Sequence, residues 1–552
     1  MGSLTDAGVC LLMRLGPHRI LLDCGLVELS PLLEIAEKTP PPVDLVLCSH
    51  AHPDHAQGLL ALHQTWPEIP IYASEVTTQL LPLNWVPGSL TDRESLAQAL
   101  PWRSPIELSQ GLIVQLWPAG HLPGAAAFLL TYTPNSDDPE AADRTYTVFY
   151  TGDFFLSHSR LVEGFPLEEL RSLRPDILIT EGSYGTARYP RRRQQENQLV
   201  DQVSQAIAGG YGVLLPTPVL GLGQEILMLL RSHHQFTGQE LDIWVDGAVA
   251  WGCDAYLALL PHLPATVQNF ARHQPLFWDD RIRPRVRRLE PDQRRLVGQN
   301  PCIVVMTQNQ DLSQYCEGKD THWVVMLPQR LNPGSVTELE QIQCHCPQID
   351  PVGVQTALDQ GRLKVLPYFL SEHCDGPGTT QLIHNLRPQH VIFVHGSPTD
   401  LAALTALEEL RNRYQLHTPA TNTLVELPIG ETFIQPPAPA NRYGGELREE
   451  ESAITLTLTP EISADPHWGQ FADTGFLEAR WQGEELVLRA IPQRELLHQG
   501  GDRPGWLNTE CCGNCQHYGR QLCWNQDSPL FGFKVTPDGY CPSFSPLPFD
   551  PA

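Results

Sequence analysis

Between His50 and His55 the chain places four potential metal ligands, His50, His52, Asp54 and His55, directly after the apolar run Asp44-Leu45-Val46-Leu47-Cys48. Side chains so close in sequence can converge on a metal only where the backbone turns sharply. A strand ending near Cys48 and a helix beginning at Pro53 supply that turn, because proline is pre-organised for the first helical position and cannot donate to a strand ladder. His50 and His52 would then face one ion, and Asp54 and His55 a second. Imidazole and carboxylate are the donors of a catalytic zinc, which keeps one position open for water. One loop cannot complete two coordination shells, so the fold must bring further ligands from elsewhere in the chain.

The remaining ligands are expected at other strand ends. From Leu11 to about Val394 short apolar runs alternate with helical patterns, which reads as an α/β layer architecture. ILLDCG (20–25), YTVFYTGDF (146–154), DILITEG (176–182) and HVIFVHG (390–396) each close on a polar residue or glycine, so their loops can converge over a sheet. Asp153 and His395 lie at the ends of two of these runs and His121 lies in AGHLPGAAAFLL, between an apolar run and a small-residue strand, so these three are the expected further ligands. Asp23, closing the first run, fits a carboxylate that orients a histidine ligand from behind.

In these residues the chain resembles the metallo-β-lactamase superfamily, and more narrowly its β-CASP branch, which includes RNase J, the pre-mRNA 3′-end processing endonuclease and the nuclease Artemis. The resemblance runs over about residues 7 to 430. His50-Ala51-His52-Pro53-Asp54-His55 matches the superfamily motif, Gly120-His121 its next ligand and Gly152-Asp153 its bridging aspartate. The branch is marked by Thr180-Glu181-Gly182, by Ser371-Glu372-His373-Cys374-Asp375 and by Val394-His395-Gly396.

The resemblance implies an αββα metallo-β-lactamase sandwich, an α/β class fold, carrying an inserted α/β β-CASP domain and a small C-terminal cysteine-rich metal-binding module. The corresponding segments are 1–187 and 365–434 for the sandwich, 188–364 for the insert, 435–453 for a Pro-, Gly- and charge-rich linker and 454–552 for the C-terminal domain. It also implies two zinc ions bound by His50, His52, Asp54, His55, His121, Asp153 and His395. A hydroxide bridging them would attack a phosphodiester of nucleic acid. Asp54, Glu181 and His373 take catalytic roles, with His373 as general acid supported by Glu181, and Asp375 joins Asp23 in the shell around the ligands. The sequence departs from the branch in three places: Ser397 follows Gly396 where glutamate is usual, Leu222-Gly223 stands where Gly-Arg is usual, and the strand usual before GVCLLMRLGPHRILLDCG is missing, so a start further upstream is expected.

The formal charge of −26 runs against a polyanion-binding protein, whose affinity comes largely from Lys and Arg contacts to phosphate. Local clusters offset it. Arg191, Arg192 and Arg193 follow the acidic motif and are the candidate nucleic-acid contacts, while Arg281, Arg283, Arg285, Arg287 and Arg288 form a second group that nearby acids could balance. RNA is the expected partner ahead of DNA. Two alternatives remain: a metallo-hydrolase of a small ester, thioester or phosphoester, and a catalytically silent scaffold subunit. No stretch reaches the ~18 apolar residues of a membrane span, and the first residues lack a basic segment followed by an apolar one, so a cytoplasmic protein without a membrane partner is expected. Near the C-terminus, Cys512, Cys515, Cys523 and Cys541 lie in a segment too short to build its own core. A Zn²⁺ ion or an iron–sulfur cluster held by these thiols would supply the missing folding energy.

Overall fold

A computed structural model describes residues 8–86, 96–134, 144–171, 173–316, 321–329 and 337–429, with shorter stretches at 445–450, 453–458, 477–482, 485–490, 515–519, 522–526 and 544–545. Strands β1 (Leu11–Leu15), β2 (His18–Leu22), β3 (Leu45–Leu47), β4 (Ile71–Ser74) and β5 (Gln98–Leu100) form one sheet in that order. A second sheet takes β6 (Ile106–Ser109), β7 (Leu112–Pro118), β8 (Ala126–Tyr132), β9 (Tyr146–Tyr150) and β10 (Ile177–Glu181).

Successive residues of a strand face opposite sides of its sheet, and these strands are apolar on both. Leu112, Leu116, Phe128 and Leu130 join Ile20 and Leu22 in the layer between the two sheets. Trp117, Ala127, Leu129 and Leu21 point the other way, into the helix-covered core. Burying both faces requires helices outside each sheet, which gives the αββα sandwich. Each fully buried Leu or Phe contributes roughly 1.5–3 kcal/mol to that arrangement.

The chain then leaves the sandwich and builds a third sheet from β11 (Gly212–Thr217), β12 (Asp242–Asp246), β13 (Arg285–Leu289), β14 (Ile303–Thr307), β15 (Trp323–Pro328) and β16 (Leu363–Tyr368). Its order is β13-β12-β14-β11-β15-β16 and every pairing is parallel. Such a sheet needs cover on both faces, and the β14 run Ile303-Val304-Val305-Met306 is buried throughout for that reason. The last strand of the insert reaches Tyr368, four residues past the boundary read from the sequence.

The chain returns to the second sandwich sheet with β17 (His390–Val394) and β18 (Gln415–His417), completing the order β18-β17-β10-β9-β8-β7-β6. The three central strands are parallel and in register, with Tyr150 beside Ile179 and Glu181 beside Val394, so their C-terminal ends open on one edge.

Beyond residue 430 the described backbone forms two antiparallel hairpins, Gly445–Glu450 with Ala453–Leu458 and Leu477–Gln482 with Glu485–Ala490. Cys515 and Cys523 are buried near a short hairpin at Tyr518–Gly519 and Leu522–Cys523, whereas Cys512 and Cys541 lie outside the described residues. Among the described residues no helix is long and apolar enough to cross a membrane.

Candidate active site

The edge at which β9, β10 and β17 end is where the chemistry collects. β3 ends at Leu47, and the chain passes through Cys48, Ser49 and His50 to His52, the residue before a short helix Pro53–Ala56 with proline in its first turn. Asp153 follows β9 through Gly152, whose φ of 55° lies in the left-handed region. A Cβ on Gly152 would lie 2.6 Å from the Ser49 Cβ, so the β9 turn and the histidine loop can pack this closely only with glycine there.

Two groups of donors result. His50 Nε2 lies 3.2 Å from His52 Nδ1, and His121 Nε2 lies 3.0 Å from that same Nδ1. Beside them, Asp54 Oδ2 lies 3.2 Å from His395 Nε2 and 3.9 Å from His55 Nε2. Asp153 stands between the groups, its Oδ2 lying 3.6 Å from His50 Nε2, 3.8 Å from His121 Nε2 and 3.3 Å from His55 Nε2. The fit to two metal ions shows in the atoms left over: His55 Nε2 and Asp153 Oδ1 are buried and have no hydrogen-bond partner among the described residues. An unsatisfied buried polar atom is costly, and zinc accepts these donor types.

His50, His52, His55 and His121 are each held at the ring nitrogen turned away from the cluster, which fixes tautomer and orientation. His55 Nδ1 lies 2.8 Å from Asp23 Oδ2, and Asp23 in turn accepts from the Tyr150 hydroxyl at 2.5 Å and from Ser49 Oγ at 2.7 Å. His50 Nδ1 meets Ser49 Oγ at 3.0 Å. His121 Nδ1 donates to the Glu372 carbonyl at 2.9 Å, and His52 Nε2 to the Leu220 carbonyl at 3.3 Å. Leu220 belongs to the insert, so the segment that carries the third sheet helps to orient a histidine of the sandwich.

The electrostatics divide the histidines. Burial pulls His50 and His52 below their ordinary range and lowers His121 to about 3, with His373 adding repulsion. For His55, Asp153 and Asp23 overcome the same desolvation and raise it. Burial likewise opposes charge on Asp153, but the surrounding His395 and His55 hold the carboxyl well below the carboxylate range.

Glu181 ends β10 fully buried, with Oε1 accepting from the Phe154 amide at 2.7 Å and Oε2 accepting from Ser183 Oγ. His373 Nδ1 lies 2.8 Å from Glu181 Oε2 and 3.8 Å from Asp153 Oδ2. Burial works against a charged His373, yet Glu181 and Asp153 push it up to about 9. Beside it, burial pushes the Glu372 carboxyl up to about 7.

Asp375 does not reach the histidines. It caps the helix Gly376–Leu386, accepting from the Gly378 amide at 2.9 Å, and receives the Tyr189 amide at 3.3 Å. The arginines also separate. Arg191 and Arg193 are exposed, but Arg192 turns inward, bonding the Ser371 carbonyl and lying 3.7 Å from Glu225 Oε2 and 3.7 Å from Glu196 Oε1. Glu225 is itself held by Ser159 Oγ at 2.8 Å and by the Arg160 and Leu161 amides at 2.9 Å, which pins the insert to the sandwich.

The sequence reading missed Ser49, Tyr150 and Ser183 as supports and the carbonyls of Leu220 and Glu372. Ser183 had a faint signal, two residues beyond Glu181. A main-chain carbonyl has none, since every residue carries one.

Residues 18–184 match the family described as the beta-lactamase superfamily domain, and residues 362–419 match the Zn-dependent metallo-hydrolase RNA specificity domain. The chain is 48% identical over 549 residues to an uncharacterized protein of Synechocystis sp., covering 98% of this chain and 94% of that one. It is 25% identical over 315 residues to an RNase J-like protein of Methanocaldococcus jannaschii, covering 54% and 68% of the two chains. To the endoribonuclease YSH1 of Mycosarcoma maydis it is 24% identical over 467 residues, covering 77% of this chain and 50% of that longer protein.

Proposed function

The chain belongs to the metallo-β-lactamase superfamily, within its β-CASP branch, and from that premise we propose that it cuts phosphodiester bonds of RNA. The observation that carries the reading is the pair of donor groups sharing Asp153, with His373 and Glu181 set beside them. The similarity to an RNase J-like protein and to an endoribonuclease supports RNA as the substrate.

His50, His52 and His121 would hold one zinc ion, Asp54, His55 and His395 the second, and Asp153 both. When bound, zinc supplies Lewis acidity and lowers the pKa of water towards neutrality. The chain's own residues then do the rest. Glu181 keeps His373 protonated near pH 7, and that proton is the one the departing oxygen needs. Asp23, Ser49 and the two carbonyls keep the ligand rings from turning. The insert, pinned through Glu225 and Leu220, closes over the donors and limits entry to an extended strand.

The test is incubation of the zinc-loaded chain with 5′-labelled and 3′-labelled RNA and single-stranded DNA, read as product ladders. RNA should be cut. His373→Ala should slow cutting of a diester with a poor leaving group by about 10²–10⁴-fold while keeping its zinc. Normal turnover in that variant removes His373 from the proton-donor role.

A second reading, hydrolysis of a small ester or thioester, is favoured by one observation. Arg283, Arg285, Arg287, Arg288 and Arg294 each lie against a carboxylate, those of Glu240, Asp242, Asp280, Asp254 and Asp246, which cancels the field a polyanion would seek. Turnover of such an ester with intact RNA and DNA would establish it instead.

A further inference from the structure

Both chain crossings between the sandwich and the insert carry aromatic rings, and the rings meet beside His373. The outgoing crossing runs from the end of β10 at Glu181 to the helix Arg192–Ala208 and holds Tyr184 and Tyr189. The returning crossing leaves β16 at Tyr368 and passes Phe369 on its way to His373. Centroid to centroid, the Tyr189 ring lies 4.4 Å from Phe369 and 4.7 Å from Tyr184, and Tyr184 lies 6.2 Å from Phe369. Tyr184 also stands 5.6 Å from the His373 ring, nearly perpendicular to it at 81°.

The outgoing loop is held in place. Gly185 has φ of 55°, and a Cβ there would lie 2.9 Å from the Cβ of Asp400 in the helix Pro398–Ala406. A Cβ on Gly376 would lie 2.7 Å from the Thr186 Cα, so glycine at both places lets the loop lie against two helices of the sandwich. The Gly376 amide donates to the Ala187 carbonyl at 2.9 Å, and Asp375 accepts from the Tyr189 amide at 3.3 Å. Asp375, which does not itself reach the histidines, therefore fixes the loop that sets Tyr184 against one of them.

The charged neighbours of His373 are the carboxylates of Glu181 and Asp153, so what the rings add there is bulk and a π-face. Tyr184, Tyr189 and Phe369 each stay partly open to solvent, and Arg188 and Arg191 on the outgoing crossing are exposed. Rings interleaved with exposed cations suit a single strand of nucleic acid, whose phosphates seek the charge and whose bases stack on the rings. The place of the rings decides which base. His373 gives its proton to the departing oxygen, so the ring beside His373, and those packed on it, flank the nucleotide that departs and not the one that keeps the phosphate. Resting on the reading of the site as an RNA-cutting centre, we propose that Tyr184 and Phe369 form a platform on which the base of the departing nucleotide stacks. Every base has a π-face, so the platform orients the strand without reading its sequence.

The experiment uses the zinc-loaded full chain and a labelled oligoribonucleotide of one sequence. A single abasic nucleotide is moved through the positions around the cut, and a parallel set exchanges single bases. The departing nucleotide is the one that ends the hydroxyl-bearing product. For the wild-type chain an abasic nucleotide there should lower kcat/KM by about ten- to a hundredfold, the range one base stacked on an aromatic side chain supplies, while exchange of its base should matter far less. Tyr184→Leu and Phe369→Leu should each cut intact RNA more slowly with zinc content unchanged, and in each the abasic penalty should shrink. Tyr184→Phe, which keeps the ring, should keep the penalty. A merely structural role would slow intact and abasic RNA alike and leave the penalty whole. The proposal is overturned if the full penalty survives in both leucine variants, if the wild-type chain shows none, or if it falls on the phosphate-bearing side of the cut. Each of these leaves the RNA-cutting reading standing. A wild-type chain that leaves RNA intact overturns that reading, and this proposal with it.

Discussion

The sandwich and the insert both end parallel strands in buried carboxylates, and the two carboxylates are treated in opposite ways. Asp153, after β9, is 2% exposed and leaves Oδ1 without a hydrogen-bond partner. Asp246, the last residue of β12, is equally buried but saturated: Arg294 reaches it through Nε at 2.8 Å and Nη2 at 2.9 Å, Gln310 donates at 2.6 Å, and the Tyr315 hydroxyl completes the set. Sheet geometry is thus no guide to which edge reacts. What separates them is whether the protein satisfies the carboxylate itself or leaves it facing histidines with room for an ion.

The sharpest way to break that contrast is to remove each carboxylate. Asp153→Ala should lose bound zinc, measured by metal analysis, and activity should fall to background. Asp246→Ala should keep its zinc and lose stability instead, by about 3 kcal/mol in denaturant unfolding, because the half-buried Arg294, the Gln310 amide and the buried Tyr315 hydroxyl all lose their acceptor. If Asp246→Ala also lost zinc with the fold intact, the two edges would be coupled and the contrast would fail.

The same contrast explains what was legible in the sequence. His50, His52, Asp54, His55, His121, Asp153 and His395 could be picked out as candidates because few residue types can hold zinc and each sits near the end of an apolar run, and the fold brings them together. Glu181 and His373 could be read because their spacing in a known motif is specific. Asp375 could not be assigned, since sequence proximity to His373 does not show that its carboxylate turns away to cap a helix. Nor could Leu220 and Glu372 be seen as holders of His52 and His121, because the bonds come from main-chain carbonyls. The inserted parallel sheet was legible as alternating strands and helices, but its order, with β14 between β12 and β11, depends on packing across long separations.

A smaller effect separates neighbours in the arginine run. Arg192 points into the junction with Glu196 and Glu225, while Arg191 and Arg193 are exposed on either side. Arg192→Ala should destabilise the chain by roughly 3 kcal/mol, as expected when one partner of a buried charge cluster is removed. The double variant Arg191→Ser with Arg193→Ser should leave stability within about 0.5 kcal/mol and instead flatten the salt dependence of RNA binding, because only exposed cations can exchange counterions with phosphate. An unchanged salt slope would class them as ordinary surface.

The smallest effect tests whether burial alone can set a histidine apart without any metal role. His384, in the helix Gly376–Leu386, is lowered to about 3 by burial, with Arg413 and Arg387 adding repulsion. Its Nδ1 lies 3.0 Å from the Tyr414 hydroxyl and its Nε2 has no hydrogen-bond partner among the described residues. The depressed value means that the folded chain holds this ring neutral where the unfolded chain, titrating near 6.5, would protonate it. Stability from the neutral ring is therefore complete above about pH 6.5 and is lost as pH falls from there towards the folded value of about 3. His384→Gln removes that titration, so its stability should fall less steeply between pH 8 and pH 5, by on the order of 1 kcal/mol relative to the parent chain. Zinc content should be the same in both, since His384 is not among the ligand groups. Equal pH slopes would mean that the His384 ring gains its proton in the folded chain about as readily as in the unfolded one.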